Sequence, residues 1–170
     1  MGLLPILTYP DPCLKKNCAP VHLIQREIRS LIDDMIETMY GAPGVGLAAP
    51  QVGRPVRVMV MDVSAQQEGA ELIALINPEI LWSDGEILWE EGCLSVPELL
   101  VEVARKERVR VAGLEPSGKR IEFEAEGFLA IALQHEMDHL NGRLIIDRVS
   151  PLKRELYRKR RLKESAQAGA

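Results

Sequence analysis

The amino-acid sequence predicts an α+β fold in which a central helix carrying the sequence HEMDH is enclosed by antiparallel β-sheets. An apolar period typical of a helix runs from Ile24 to Met39, and alternating apolar and polar residues flank the turn Pro116-Ser117-Gly118. The almost wholly apolar stretch FLAIAL comes directly before HEMDH. Together these observations predict helices packed on a sheet rather than an all-helical bundle.

Length and composition indicate one soluble domain. The chain has 170 residues, of which 46% are hydrophobic and 27% are charged, and no apolar run approaches the length that spans a bilayer. The beginning of the chain lacks the basic region of an export signal, so the cytoplasm is expected and neither a membrane nor DNA is expected as a partner. The three cysteines are predicted to be free thiols or metal ligands.

The first predicted element is the amphipathic helix of residues 24–39, whose apolar side chains recur at helical spacing. The segment GAPGVGLAAPQVG, from Gly41 to Gly53, follows it. Its glycines and prolines predict a shaped loop with a short strand. Strands are predicted next at Arg57 to Asp62, Leu72 to Ile76 and Glu86 to Trp89.

A β-hairpin is predicted around Pro116-Ser117-Gly118, followed by a buried helix from Phe128 to Leu140 that ends at Asn141-Gly142. A last helix is predicted after Ser150-Pro151, a favourable pair for starting a helix. Residues 1–150 are predicted to form the catalytic domain and residues 151–170 a basic helical extension of it.

Within HEMDH, two histidines lie four residues apart on the predicted buried helix. Four residues advance a helix by about 400°, so His135 and His139 point the same way and can bind one metal ion. Glu136 lies about 100° from His135, where it can act on a water molecule at the metal. The alternative is that both histidines are ordinary polar residues, but they would then be buried without evident partners, which is unfavourable.

The third ligand has several candidates. The metzincin pattern would need a histidine where Ile145 stands, and His22 lies outside the predicted core. A thermolysin-like site would need Glu155 or Glu164, which lie among basic residues. Cys93, in WEEGCLSVPE, is the sulfur candidate, although a cysteine there could also be a core residue. Cys13 and Cys18 are not expected to take part.

Three segments, GVGLAAPQ (residues 44–51), EGCLS (91–95) and QHEMDH (134–139), together resemble peptide deformylase, and the likeness covers about residues 3–150. The resemblance implies a metallohydrolase that removes the N-formyl group from N-formylmethionyl peptides of nascent proteins and releases formate. It implies a bacterial cytoplasmic enzyme and a central helix within antiparallel sheets.

The resemblance also implies the roles of the site residues. Cys93, His135 and His139 would bind the metal, and Glu136 would be the general base and acid. Gln51 and the backbone N–H of Leu94 would bind the carbonyl oxygen of the substrate. The implied substrate-binding residues are Val45, Gly46, Trp89, Gly92, Phe128, Ile131 and Ala132. One divalent ion is implied, Fe²⁺ first, with Zn²⁺, Ni²⁺ or Co²⁺ able to substitute.

The sequence departs from many relatives just beyond the cysteine motif. Those relatives carry an arginine near the bound peptide, whereas this chain has Leu99 and Leu100. Contacts to the peptide backbone are therefore expected to differ here, while the chemistry at the formyl group is unaffected.

The end of the chain is strongly basic: residues 151–170 carry a formal charge of +5 and residues 1–150 a charge of −9. Clustered Lys and Arg favour phosphate contacts, so a ribosome contact through the C-terminal helix is one interpretation and a solvated helix is the other. Deleting Lys153 to Ala170 is expected to weaken ribosome binding but not the hydrolysis of small peptides.

Two rival functions remain from the residues alone. An endopeptidase using HEMDH would cleave internal peptide bonds. A binding protein with a structural metal would have no use for Glu136 or Gln51, and its ion would be expected to have four protein ligands.

Overall fold

A computed structural model describes residues 2–168 and contains three α-helices and seven β-strands. The helices are α1 (Arg26–Gly41), α2 (Gly127–Leu140) and α3 (Pro151–Ala168). The strands are β1 (Gly46–Ala48), β2 (Val58–Met61), β3 (Ile73–Asp84), β4 (Ile87–Cys93), β5 (Val96–Arg105), β6 (Arg108–Leu114) and β7 (Arg120–Glu126). Short 3₁₀ turns occupy Pro12–Lys15, Ala49–Val52 and Ile145–Arg148.

The strands form two antiparallel sheets, which confirms the predicted α+β class. The larger sheet has the order β1-β2-β3-β6-β7, and the smaller one pairs β4 with β5. Both β1 and β4 therefore have one edge that no strand of the described residues covers. These two free edges border the same cleft, described below.

Most predicted elements are present, with shifted ends. Helix α1 begins two residues later than predicted and ends at Gly41, and β6 and β7 form the predicted hairpin. The alternating stretch before the hairpin is divided between the two sheets, because the chain turns at Lys106-Glu107 between β5 and β6. Strand β3 continues to Asp84, eight residues beyond the prediction, through two register shifts that accommodate the bend.

Helix α2 is buried against the larger sheet, as its apolar sequence predicts. Ala130, Leu133 and Leu140 are fully buried there and share a core cluster with residues of β2, β3 and β6. Helix α1 packs on the same sheet through a second cluster that includes Met35 and Met39. The HEMDH sequence is therefore held on a helix that is packed into the hydrophobic core.

Helix α3 attaches to the body through the buried Tyr157 and through two arginines, Arg161 donating to Thr8 and Arg160 pairing with Glu98. Tyr157 is buried, its hydroxyl donates to the carbonyl oxygen of Pro97 at 2.8 Å, and its ring lies 6.0 Å from that of Tyr9. The predicted helix start is confirmed, because the Ser150 hydroxyl accepts from the backbone N–H of Lys153. Deleting residues 153–170 would thus remove a core side chain, so that deletion does not isolate the effect of the basic charges.

No helix within residues 2–168 is long and apolar enough to cross a membrane.

Candidate metal centre and substrate cleft

Helix α2 presents the two predicted histidines side by side. The imidazole centroids of His135 and His139 are 5.0 Å apart, with the rings inclined at 72°. Burial lowers the pKa of His139 well below its usual value, which keeps that imidazole neutral and available as a ligand. Burial also disfavours protonation of His135, but its hydrogen bonds to Cys93 and Glu91 outweigh burial and raise its pKa, so a cation bound there would displace a proton.

Cys93, at the end of β4, completes the ligand set. A register shift between Glu91 and Cys93 turns the thiol toward α2, where its Sγ lies 3.4 Å from Nε2 of His139. One donor atom from each of Cys93, His135 and His139 lies within 4.8 Å of the other two. Ligands of a tetrahedral ion are roughly 3.5 Å apart, so this set fits a divalent metal with one open position.

The other sequence candidates do not join this cluster. Cys13 and Cys18 are free thiols in the N-terminal segment, and burial raises the pKa of Cys18 to about 11. His22 is exposed, and Ile145 is a buried apolar residue in the third 3₁₀ turn. Glu164 lies on α3, where it pairs with Arg161.

Glu136 is buried beside the ligands and is held close to the backbone of β1. A Cβ atom added to Gly46 would lie 2.5 Å from Oε1 of Glu136, so only glycine permits this approach. Within residues 2–168, Oε2 of Glu136 has no hydrogen-bond partner. Burial raises the pKa of Glu136 to about 7, which suits a group that takes up and returns a proton near neutral pH.

Gln51 lies at the end of the GVGLAAPQ segment with its amide orientation fixed. Its Oε1 accepts from the backbone N–H of Ala48 at 2.9 Å, and its Nε2 donates to Oγ of Ser95 at 3.0 Å. The same Nε2 is 3.9 Å from Sγ of Cys93. One amide hydrogen is held by Ser95 and the other points to Sγ of Cys93, so the amide donates toward the metal end of the cleft. Ser95 is not among the predicted site residues, although it ends the EGCLS segment.

A buried charge network behind the ligands was also not predicted. Glu91 accepts two hydrogen bonds from Arg105 and contacts Nδ1 of His135 at 2.8 Å. Arg105 also donates to Asp138, which accepts from Arg148 as well. Such partners fix the orientation and tautomer of a ligating histidine. The sequence signal was a pair of charged residues, Glu91 and Arg105, at inward-facing strand positions.

Burial by itself would raise the pKa of Glu91, but the hydrogen bonds from Arg105 and His135 outweigh it and lower the pKa to about 2. Glu91 is therefore a carboxylate at neutral pH, able to accept a hydrogen bond from the Nδ1–H of His135 and direct Nε2 toward the metal position.

The cluster opens into a cleft of about 530 Å³ between β1, β4 and α2. Trp89 and Phe128 form one wall, with ring centroids 5.8 Å apart in an edge-to-face arrangement. Leu94 closes another side, because its side chain packs so tightly on Gly44 that an added Cβ would lie 2.8 Å away. All the residues predicted to bind substrate line the cleft: Val45, Gly46, Trp89, Gly92, Phe128, Ile131 and Ala132.

Known proteins share both sequence and fold with this chain. The model of the family Polypeptide deformylase matches residues 3–155. The peptide deformylase of Thermodesulfovibrio yellowstonii is 57% identical over 160 residues, covering 94% of this chain and 97% of that protein. The peptide deformylase of Syntrophobacter fumaroxidans is 52% identical over 168 residues, covering 97% and 99%.

Solved structures agree. The crystal structure of a peptide deformylase from Legionella pneumophila has a TM-score of 0.88 and 45% identity, with 98% of each chain covered. That of the Ehrlichia chaffeensis enzyme in complex with actinonin has a TM-score of 0.91 and 38% identity, covering 96% of this chain and 98% of that one. The match over most of the chain and the identities above 50% show that this chain belongs to the polypeptide deformylase family.

Proposed function

We propose that Cys93, His135 and His139 hold the metal ion of this deformylase and that the cleft beside them receives the formylmethionyl end of a nascent peptide. The enzyme is a metal-dependent hydrolase that removes the formyl group from such peptides. The observation that carries the assignment is the convergence of three metal-ligand atoms within 4.8 Å, in the same cleft as Glu136 and Gln51.

Cys93, His135 and His139 would hold a divalent ion with one thiolate and two neutral imidazoles, and such an ion, with a net charge of +1, would supply Lewis acidity toward water and the formyl carbonyl group. Glu136 takes the proton that the attacking water loses and delivers it to the leaving nitrogen. The C–N bond of the formamide breaks, and the products are formate and a free amino terminus.

Negative charge that develops on the carbonyl oxygen needs donors that are already in place. We assign this role to the amide hydrogen of Gln51 that faces Cys93 and to the backbone N–H of Leu94. Ser95 and the backbone of Ala48 hold the Gln51 amide, so little reorganisation is required when the charge appears. An acidic replacement of Gln51 would lack the donor and add repulsion.

The peptide would lie extended between the free edges of β1 and β4, with backbone hydrogen bonds to both. The methionine side chain would enter the apolar end of the cleft, between Trp89, Phe128 and Ile131. A polarisable, flexible methionine side chain suits such an aromatic wall.

For the metal itself we propose Fe²⁺, with Ni²⁺, Co²⁺ or Zn²⁺ as substitutes. One soft thiolate and two imidazoles can bind any of these four ions, so the ligand set by itself does not select one of them. Anaerobic purification followed by metal analysis tests the choice, and a protein that holds only zinc would contradict it.

We place the enzyme in the bacterial cytoplasm, where formylated chains are made. Residues 1–150 would be the catalytic domain, and α3, the basic extension, would contact the ribosome. Lys153, Lys159 and Lys163 are exposed on α3, whereas Tyr157 anchors it. Replacing these three lysines by glutamine should weaken co-sedimentation with ribosomes at low salt and leave small-peptide hydrolysis unchanged. Unchanged sedimentation would contradict the contact.

The function is tested by formate release from formyl-Met-Ala-Ser and by acetate release from acetyl-Met-Ala-Ser, using anaerobically purified, metal-loaded protein. Rapid release of formate with the acetyl peptide intact is expected, because a methyl group in place of the formyl hydrogen makes the acyl group bulkier and its carbonyl carbon less electrophilic. Casein added to the same protein should stay intact. Cleavage of casein without formate release would instead indicate an endopeptidase.

A further inference from the structure

The first turn of helix α2 is not capped by its own sequence neighbours. Glu126, the residue before the helix, makes no side-chain hydrogen bond to it, and the first turn contains no acidic residue. The first N–H groups of a helix have no partner inside the helix, and a first turn that is left uncapped frays. Because this turn carries Phe128, the position of one wall of the cleft depends on what holds the turn.

Gln67, which lies 62 residues before Leu129 in the sequence, takes the place of the missing cap. Its Oε1 accepts from the backbone N–H of Leu129 at 3.0 Å. Leu129 is the third residue of α2, and its N–H is one that a conventional capping side chain binds. The Gln67 side chain lies directly on the helix start, since a Cβ added to Gly127 would be 3.1 Å from its Oε1.

The backbone around Gln67 is fixed by hydrogen bonds and by packing. Gln67 lies in the loop of residues 62–72, which connects β2 to β3. Its backbone N–H donates to the carbonyl oxygen of Val63 at 2.9 Å, and its carbonyl oxygen accepts from Ala70 at 3.3 Å. Val63 is fully buried in the core cluster that includes α2, and Ala70 packs against the same cluster. The loop therefore presents the Gln67 side chain to α2 from a defined position.

The turn that Gln67 holds supports the apolar end of the cleft. Phe128 precedes Leu129 directly, and its ring meets that of Trp89 edge to face at 5.8 Å. Phe128, Ile131 and His135 recur at helical spacing and all line the cleft. His135 lies about two turns further along α2 than Phe128. A small displacement of the first turn would thus move the aromatic wall and leave the metal ligands in place.

We propose that Gln67 is a positioning residue that sets the preference for a methionine side chain, by capping α2 and so holding Phe128 against Trp89. The proposal rests on the proposed function, because it takes the methionine side chain to enter the cleft between these two rings. Gln67 does not itself line the cleft. Its effect is therefore on which side chain is bound, not on the chemistry at the formyl carbon.

The direct test compares kcat/KM for formyl-Met-Ala-Ser and formyl-Ala-Ala-Ser in wild-type protein and in Gln67→Met, both loaded with metal. Methionine has nearly the length of glutamine but no oxygen to accept the hydrogen bond. The methionine-to-alanine ratio should fall by about ten-fold, since a pocket discriminates by contacts of this size. The loss should appear as a higher KM for the methionine peptide with kcat nearly unchanged. An unchanged ratio, or an equal fall in kcat for both peptides, would overturn the proposal.

Two further variants separate the hydrogen bond from general effects of changing the loop. Gln67→Glu keeps the acceptor and places a negative charge at a helix N-terminus, where it is favourable, so it should retain the wild-type ratio. The matched control is Gln66→Met, at the exposed neighbouring position, which should also retain it. A ratio that falls as far in either variant as in Gln67→Met would overturn the role of the Gln67 acceptor.

Amide hydrogen exchange at Leu129, followed by NMR, tests the cap without using activity. Exchange should become about five-fold faster in Gln67→Met, as expected for the loss of a capping bond, and stay near the wild-type rate in Gln67→Glu. Equal exchange in all three proteins would overturn the proposal. No formate release from either peptide by metal-loaded wild-type protein would overturn the proposed function instead, whatever the exchange rates show.

Discussion

Glu136 is the side chain on which the proposed chemistry depends most, and Glu136→Gln removes its proton transfer while keeping its shape. Turnover should fall by about 10²–10⁴-fold, because general acid and base catalysis contributes that much. Metal content should stay near one ion per chain, since Glu136 is not among the three clustered donors. Activity within a few-fold of wild type, at equal metal content, would show that another group moves the proton.

Gly46 is the neighbour that lets Glu136 approach β1, so Gly46→Ala tests the packing around the base. The added Cβ would meet Oε1 of Glu136 at 2.5 Å and displace the carboxylate. A displacement of about 1 Å can cost about 10²-fold, so kcat should fall by that order. Gly2→Ala is the matched control, because it has open space around its Cβ position. Equal activity of the two variants would contradict the geometry.

Arg105 links two carboxylates behind His135, and Arg105→Ala would leave Glu91 and Asp138 without that cation. Breaking a buried ion pair in this way costs about 3–5 kcal/mol, which denaturant unfolding can measure. The folded protein holds the pKa of Glu91 near 2, below its usual 4.5, so wild-type stabilisation by this group is present above pH 4.5 and is lost as pH falls toward 2. An Arg105→Ala variant that keeps wild-type stability, and that loses stability between pH 4.5 and pH 2 as the wild type does, would contradict the network.

Among the secondary-structure elements, α3 has one buried side chain in its described residues, Tyr157, despite its length. Tyr157→Ala should destabilise the protein by about 3 kcal/mol, through lost packing against Tyr9 and the lost hydrogen bond to Pro97. Tyr157→Phe keeps the ring and should cost only about 1 kcal/mol. Thermal unfolding of both variants checks this, and equal midpoints would show that the ring packing contributes little.

The elements also show how far sequence predicts structure. The apolar pattern predicted the ends of α1 and α2 to within two residues. Helix α1 is apolar on one face and the first half of α2 is apolar on nearly every face, and both patterns are clear in the sequence. The sequence did not predict that β5 and β6 belong to different sheets. Apolar and polar residues keep alternating across Lys106-Glu107, and the sheet that a strand joins depends on long-range pairing. Likewise, Leu152 and Leu156 look apolar enough to anchor α3, yet both are exposed and Tyr157 is buried.

In the whole molecule, three segments far apart in sequence form one site because β1, β4 and α2 border the same cleft. The histidine spacing predicted that His135 and His139 lie side by side, whereas Cys93 and the cleft lining were implied by the resemblance, and the structure brings all of them to one cleft. Ser95 and Arg105 have partners 44 and 14 residues away in sequence, Gln51 and Glu91, and spacing alone does not reveal such pairs. The opposite charges of body and tail predict the ribosome contact only at the level of composition.

Whether Cys93, His135 and His139 hold one catalytic ion can be measured by X-ray absorption spectroscopy of the cobalt(II)-loaded protein. We expect one sulfur ligand at about 2.3 Å and two imidazole nitrogens, with the sulfur absent in a metal-loaded Cys93→Asp variant. A wild-type spectrum without sulfur, or one that Cys93→Asp leaves unchanged, would show that these three residues do not form the metal site.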